Sequence, residues 1–473
     1  MGKFYLTTTL PYVNDRPHIG FALEIVQADA VARLRRLLGD EVFFNFGTDE
    51  HGQKIYDKAH EVGKEPQAYA DEYSATFQEL KDALNLSYDA FIRTTDPHHV
   101  AATQEFWRRC AAAGDVYKKS YQIKYCIGCE LEKTDSELVD GKCPLHPNLA
   151  IELRDEENYF FRLSKYQDRL LELYDKGHDF VVPDFRLNEI RSLIAEKGLQ
   201  DFSISRLKSK LSWGIPVPDD PDHVMYVWFD ALINYISTLG WPEDEKKFSD
   251  FWPGVQFAGK DQVRQQAAMW QAMLMSAGLP TSKEIFIHGF ISVNGAKMSK
   301  SLGNVIYPVE FAKQYGTDAL RYFLLRHIHP FEDSDFSEER FREAYNASLA
   351  NGLGNVVARV MKLAEDNLNV PIAPPAVVVP TEFKAAFQAF EFNRAMDIIW
   401  DKIQTLDQRI TTEEPFKLVK ADEEKGKALI ASLVADVYHI THLLHSVMPE
   451  THEKIKAAIL ANKKPENLFP RLG

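Results

Sequence analysis

Short apolar runs alternate with stretches of helical periodicity over the first fifty residues of the chain. Phe4-Tyr5-Leu6-Thr7-Thr8-Thr9-Leu10 is β-rich and reads as a buried strand. A turn region between Pro11 and Pro17 follows, then a helical stretch over 18–38. A second strand, Val42-Phe43-Phe44-Asn45-Phe46, runs into the polar Gly47-Thr48-Asp49-Glu50-His51-Gly52. Strand, helix, strand, with polar residues gathered at the carboxyl ends, predicts a βαβ unit of a parallel sheet, whose ligands bind at those ends.

From about 116 to 205 the alternation breaks into aromatic, strand-like pieces around a cysteine cluster, which predicts an insertion. The α/β pattern resumes with Met225-Tyr226-Val227-Trp228-Phe229-Asp230, then Gln256-Phe257-Ala258-Gly259-Lys260-Asp261, then Glu284-Ile285-Phe286-Ile287-His288-Gly289. Beyond about 340 the strand signal disappears. Phe392, Ala395, Met396, Ile399, Trp400, Ile403 and Leu406 recur at helical spacing, as do Leu429, Leu433, Val437, Ile440 and Leu444. A Pro-rich stretch, 371–380, connects helices of this final bundle.

The expected fold class is therefore α/β, with a parallel-sheet domain in two halves (1–115 and 209–290) around an insertion (116–208). A linking region (291–345) and an all-α domain (346–473) complete the division. Two to four domains suit 473 residues.

Composition adds three constraints. The chain is 45% hydrophobic and 26% charged, with no run near the roughly 18 apolar residues of a membrane span and no signal-peptide pattern in residues 1–20. A cytoplasmic, unprocessed protein without membrane association is expected. A net charge of −14 means that any nucleic acid must meet a local basic surface. Of four cysteines, three crowd into 126–143, which favours a metal site over a disulfide framework. Cys126-x2-Cys129-x13-Cys143-x2-His146 has zinc-knuckle spacing, and four protein ligands leave no open position, so a structural site is expected. Cys110, on a helix before the insertion, reads as a buried core thiol.

Two short motifs carry the chemistry. Pro17-His18-Ile19-Gly20 follows a strand-to-helix turn, where free N–H groups and the positive dipole end suit phosphate, and Gly20 lets a flat base approach the backbone. About 280 residues later, Lys297-Met298-Ser299-Lys300-Ser301 follows the hairpin turn Asn294-Gly295. Its two lysines can close over a triphosphate and stabilise charge on the leaving pyrophosphate. Singly, each motif is also compatible with an ordinary surface turn or basic loop. In this order and this α/β context they resemble the class I aminoacyl-tRNA synthetases, as does Tyr315-Gly316-Thr317-Asp318-Ala319-Leu320-Arg321-Tyr322. The zinc knuckle, Thr9-Leu10-Pro11-Tyr12, Gly47 to Gly52, Tyr226 to Asp230 and the helical C-terminal region narrow the resemblance to the methionyl-tRNA synthetases, from end to end of the chain.

That resemblance implies a Rossmann-type catalytic domain, an anticodon-binding helix bundle, and two-step chemistry. Methionine carboxylate attacks the α-phosphate of ATP, which carries Mg2+, and the adenylate is then transferred to the terminal ribose of tRNA(Met). It assigns ATP phosphate to His18 and pyrophosphate to Lys297 and Lys300. The ATP site also takes Gly20, Gly259 and Asp261. Asp49 would read the α-amine of L-methionine with Arg206 near it. Leu10, Tyr12, Trp228, Ala231 and Tyr235 would enclose the thioether, with Gln262, Gln265 and Gln266 at the same pocket. Asn355, Arg359 and Phe416 would read the anticodon, and Cys126, Cys129, Cys143 and His146 would hold one structural Zn2+. A monomer is expected, because no appended dimerisation segment is visible.

Three positions depart from the family pattern. Phe21 stands where the HIGH tetrad ends in histidine, so a phosphate donor is missing unless another group, such as His51, supplies it. Gln262-Val263-Arg264-Gln265-Gln266 places amides where apolar, aromatic and histidine residues are usual. Those amides must bond one another, backbone or water, or else the substrate is more polar than methionine. Phe416 replaces a tryptophan that stacks on an anticodon base. The glutamines raise an alternative, a synthetase-like ligase that activates another amino acid for a non-tRNA acceptor. Phe21 raises a catalytically silent RNA-binding paralogue.

Overall fold

The structure, a computed structural model, describes every residue except Met1, Glu130, Thr134, His178, Lys300 and Ser301. Its centre is a six-stranded, wholly parallel sheet in the order Ala90–Arg93, Glu41–Thr48, Lys3–Thr8, Val255–Gly259, Glu284–His288, Val181–Val182. Side chains alternate between two cores, as a two-residue period dictates. Phe4, Leu6, Phe257 and Phe286 face helix Ile19–Leu37 and the helical region. Tyr5, Ala258, Ile285 and Ile287 face Phe106, Trp107 and Trp270. Strand order reverses direction between Lys3–Thr8 and Val255–Gly259, so their carboxyl ends form the crevice where such sheets bind ligands.

Two expectations need correction. Val181–Val182, inside the 116–208 range, is the edge strand of the parallel sheet, bonded to Ile285 and Phe286. A two-residue strand gives no periodicity to read. The remainder of that range includes an antiparallel sheet in which Val116–Cys126 pairs with Glu152–Phe161 and ends at the cysteine cluster. Secondly, Met225 to Asp230 is not a further parallel strand. Asp220–Met225 belongs to a small antiparallel sheet, and Val227–Ala231 is helical. A continuous apolar run of this length does not separate strand from helix.

Asn294 and Gly295 both take positive φ (53° and 73°) in the two-residue turn joining Ile291–Val293 to the antiparallel Ala296–Lys297. After Ser334–Phe336 there is no strand among the described residues. Glu338–Ala344, a π-helical stretch Tyr345–Gly354 and Asn355–Asn367 follow one another as an uninterrupted helical run. Every member of the 392–406 stripe is buried, and so are Leu433, Val437, Ile440 and Leu444, with Leu429 partly buried. Helix Glu423–Val447 is long and apolar enough to cross a membrane by length and composition, with 56% of its most apolar window buried inside the fold. It packs against Ile19–Leu37, Pro415–Ala421 and Pro449–Ala461.

Candidate active site, knuckle and RNA-facing helices

The crevice is built first by helix Ile19–Leu37. His18 is its N-cap, with Nδ1 accepting the Gly20 N–H at 3.1 Å. That bond puts the imidazole proton on Nε2, which leaves a donor. Burial pushes His18 down to about 4, so the ring is neutral at pH 7. A Cβ on Gly20 would come 2.9 Å from the His18 ring and 3.7 Å from Met298 Cε, so the two motifs meet at this glycine. Their loops are also joined by the Ile19 N–H donating to Ile306 O at 2.9 Å. Lys297 is exposed at the end of its strand, and the Asn304 side chain bonds Lys297 O and Ser299 N. Lys300 lies outside the described residues.

Phe21 lies against His18 with ring centroids 4.4 Å apart and planes tilted by 30°, and meets Phe77 edge-on at 5.7 Å. The position missing its phosphate donor therefore supplies aromatic packing that fixes His18. His51 is engaged elsewhere. Its Nδ1 donates to Asp230 Oδ2 at 2.6 Å, while His99 Nε2 meets Asp230 Oδ1 at 2.9 Å. Burial alone would raise Asp230, but the two histidines hold it below the usual carboxylate range.

Beneath the crevice lies a buried group that the sequence reading did not nominate. Glu24 Oε1 accepts from Thr9 N and Thr9 Oγ1, each at 2.7 Å, and Glu24 Oε2 faces His288 Nε2 at 2.8 Å. His288 Nδ1 is 2.7 Å from Gly289 O. Acceptors face both nitrogens of His288; burial would lower its pKa, but Glu24 and the Gly289 carbonyl raise it overall, which favours the imidazolium. A Cβ on Gly259 would lie 3.7 Å from the His288 ring, so this ion pair underlies the Gly259 turn. Asp261 is exposed, and Lys260 beside it pairs with Asp333 at 2.6 Å. Glu24 falls one turn after Gly20 on the same helix face, the one signal that pointed to it.

On the other side of Lys3–Thr8, Tyr12 and Asp49 are joined by a parallel β-bridge, and Asp49 N–H donates to Pro11 O at 2.9 Å. Tyr12 meets Trp228 edge-on at 6.3 Å. Leu10 is partly buried, and Asp49, Trp228, Ala231 and Tyr235 are buried. Trp228, Ala231 and Tyr235 reach the region from helical turns rather than strand ends. Arg206 is buried, lies 4.1 Å from the centroid of Tyr226, and donates to Ser203 Oγ and Ser205 O at 2.7 Å.

Gln265 and Gln266 fall in a π-helical stretch, Arg264–Met269, a distortion often found at functional sites, while Gln262 ends the 3-10 turn before it. Gln266 Nε2 donates to the Tyr235 hydroxyl at 2.6 Å, and Gln256 Nε2 donates to Gln266 Oε1 at 3.3 Å. Gln271 Nε2 bonds Gln266 O and Ser282 Oγ, and the Ser282 hydroxyl donates to Gln256. Gln266 is thus satisfied by neighbours without a polar substrate. Gln265 is buried with its Oε1 unpartnered among the described residues, and Gln262 is partly exposed.

At the tip of strand Val116–Cys126, the ligand atoms of Cys126, Cys129, Cys143 and His146 all lie within 4.8 Å of one another. The closest approaches to His146 Nδ1 are 3.2 Å from Cys129 and 3.9 Å from Cys126 and Cys143. Tetrahedral zinc, with bonds of about 2.0–2.3 Å, places its ligand atoms about 3.3–3.8 Å apart, and the approaches to His146 lie close to that range, so these four residues could hold such an ion. A Cβ on Gly128 would come 2.4 Å from the His146 ring, so the turn requires glycine.

In the helical region Asn355 and Arg359 lie one turn apart on Asn355–Asn367, and Arg359 pairs with Asp407 at 2.5 Å. Phe416 is 45% exposed at the start of Pro415–Ala421.

The sequence pattern described as tRNA synthetases class I (M) matches residues 4–150 and 146–361. A methionine–tRNA ligase of Nostoc sp. is 42% identical, over 96% of this chain and 89% of its own length. One from Thermotoga maritima is 41% identical, over 98% and 76%. The Mycobacterium tuberculosis methionyl-tRNA synthetase in complex with methionyl-adenylate superposes with a TM-score of 0.89 at 36% identity, over 100% of this chain and 99% of that one. The chain belongs to the methionyl-tRNA synthetases.

As a synthetase of this family it keeps the HIGH-type turn and the KMSKS-type loop in contact, on a parallel sheet with its crevice at the strand reversal. Glu24 on helix Ile19–Leu37, His288 at the carboxyl end of its strand and Asp230 on the helical turn Val227–Ala231 are buried polar groups that the sequence did not nominate.

Proposed function

We propose that the chain activates L-methionine with ATP and transfers the methionyl group to tRNA(Met). The observation that carries this reading is the junction of Gly20 with Met298 and of Ile19 with Ile306 at the sheet's ligand crevice. In the first step a carboxylate oxygen of methionine attacks the α-phosphorus of ATP, and pyrophosphate leaves with its Mg2+. His18 Nε2–H donates to ATP phosphate, and the positive dipole end of the helix adds its field there. Lys297 and Lys300 neutralise the departing pyrophosphate, as electrostatic positioning requires. The Gly259–Asp261 turn, held from below by Glu24 and His288, takes the ribose.

Methionine lies with its amine on Asp49, supported by Arg206, and its thioether among Leu10, Tyr12, Trp228, Ala231 and Tyr235. A polarisable sulfur suits aromatic walls. Gln266 anchors the Tyr235 hydroxyl, and Gln262 and Gln265 flank that wall. In the second step a hydroxyl of the terminal tRNA ribose attacks the adenylate carbonyl and AMP leaves. Asn355, Arg359 and Phe416 read the anticodon. One structural zinc on Cys126, Cys129, Cys143 and His146 stiffens the knuckle. A cytoplasmic location agrees with three reduced ligand thiols.

Amino-acid-dependent ATP–pyrophosphate exchange, followed by charging of methionine tRNA, tests the reading. Exchange with methionine and formation of methionyl-tRNA are expected. Exchange only with a different amino acid would overturn it.

A further inference from the structure

Arg359, the cation nominated for the anticodon face, is already paired with Asp407, and the chain carries a net charge of −14. RNA phosphates on this face therefore need uncompensated positive charge from another element. Such charge borders a cleft of about 710 Å³. One wall is the helix that carries Asn351 and Asn355, and the other is the segment 464–471. Lys464 and Arg471 of that segment have no carboxylate partner among the described residues, and Glu466 is the single acidic residue lining the cleft. The volume lies in the range of small-ligand clefts, about 300–1,000 Å³.

The segment is fixed rather than trailing. Phe469 is buried edge-on against Tyr345, with ring centroids 5.9 Å apart and an interplanar angle of 87°. The Asn346 side chain donates to Leu472 O at 3.0 Å and accepts from Leu472 N at 2.8 Å. The π-helical stretch Tyr345–Gly354 forms the seat for both anchors and leads directly into Asn355.

We propose that segment 464–471 is the second wall of the RNA site. In that arrangement Lys464 and Arg471 hold backbone phosphates of an unstacked anticodon-loop nucleotide whose base lies against Asn351 and Asn355. The proposal rests on the anticodon reading above. Unstacked loop bases met by amides, with cations on the backbone, are the usual terms of single-stranded RNA recognition.

The test compares the unaltered enzyme with Lys464→Ala/Arg471→Ala and with the charge-keeping Lys464→Arg/Arg471→Lys. Methionine-dependent pyrophosphate exchange is measured first, and is expected to be equal in all three. The KM for tRNA is then followed against salt, with and without a competing hairpin bearing the anticodon loop. Each lost phosphate contact lowers the logarithmic salt slope by about 0.7 on single strands, so the alanine variant should lose about 1.4. It should also lose most of its competition by the hairpin, while the charge-keeping variant retains both. An unchanged slope with exchange intact overturns the proposal, as does a raised KM with undiminished hairpin competition, which would put the two cations on another part of the tRNA. Absence of methionine-dependent exchange in the unaltered enzyme would overturn the proposed function instead.

Discussion

Glu24 and His288, 264 positions apart in sequence, form a buried ion pair of 2.8 Å whose other ends grip Thr9 and the Gly289 carbonyl. The pair ties the helix that begins at His18 to the ends of two sheet strands. Glu24→Gln keeps the shape but leaves the imidazolium with an amide. Breaking a buried pair in this way costs about 3 kcal/mol, so lower thermal stability and a raised KM for ATP are expected. Because the folded pKa of His288 is raised, its contribution is complete below the ordinary imidazole value of about 6.5 and fades as pH rises through the raised value. The unaltered enzyme should lose this increment of stability on the alkaline side, and Glu24→Gln should show little of that decline. Parallel pH–stability curves for the two proteins would refute the assignment.

Gly128 abuts the His146 ring so closely that alanine must displace it, since the added carbon would come 2.4 Å from that ring. Gly128→Ala is expected to release zinc to a chelator faster than the unaltered protein, and to expose residues 124–150 to proteolysis once the metal is gone. Structural zinc contributes folding energy to its own turn, so the parallel-sheet domain should keep its melting transition. Protein purified without chelators and carrying no zinc would contradict the ligand assignment itself.

Gln266 satisfies Tyr235 and is satisfied by Gln256. In Gln266→Leu, the Gln256 amide loses its acceptor and the Tyr235 hydroxyl its donor, each a buried polar group costing about 1–3 kcal/mol. A rise of about tenfold in the KM for methionine, equivalent to about 1.4 kcal/mol, is expected, with the KM for ATP little changed. A methionine KM within twofold of the original would show that this amide does not support the substrate wall.

Legibility followed sequence distance. Strands such as Lys3–Thr8 and Val255–Gly259 were readable because each is a compact apolar run, and the knuckle because its four ligands fall within 21 consecutive positions, 126–146. Val181–Val182 was not, since its place in the sheet comes from Ile285 and Phe286 a hundred residues away. The Met225 to Asp230 run was misread because burial on all sides hides whether the period is that of a strand or a helix. Glu24 is marked in sequence only by its place one turn after Gly20, and nothing local points to its pairing with His288; only the fold brings the two together. Gln266 looked poorly placed in sequence because its partners Tyr235, Gln256 and Gln271 come from three other elements.

Phe416 projects from the start of Pro415–Ala421 with 45% of its surface exposed, so its ring is accessible to a stacking base. If it stacks on a loop base, Phe416→Ala forfeits about 1–3 kcal/mol, or about a 5- to 150-fold rise in the KM for tRNA. Phe416→Trp, with a larger face, should lower that KM. Pyrophosphate exchange with methionine should be unaffected by either change, because the ring lies in the helical region and not at the crevice. Asn355→Ala should raise the KM for tRNA and relax discrimination among anticodon variants, since an amide reads base edges whereas a stacking ring does not. Equal losses of discrimination in Phe416→Ala and Asn355→Ala would contradict this division of roles, as would any parallel fall in exchange.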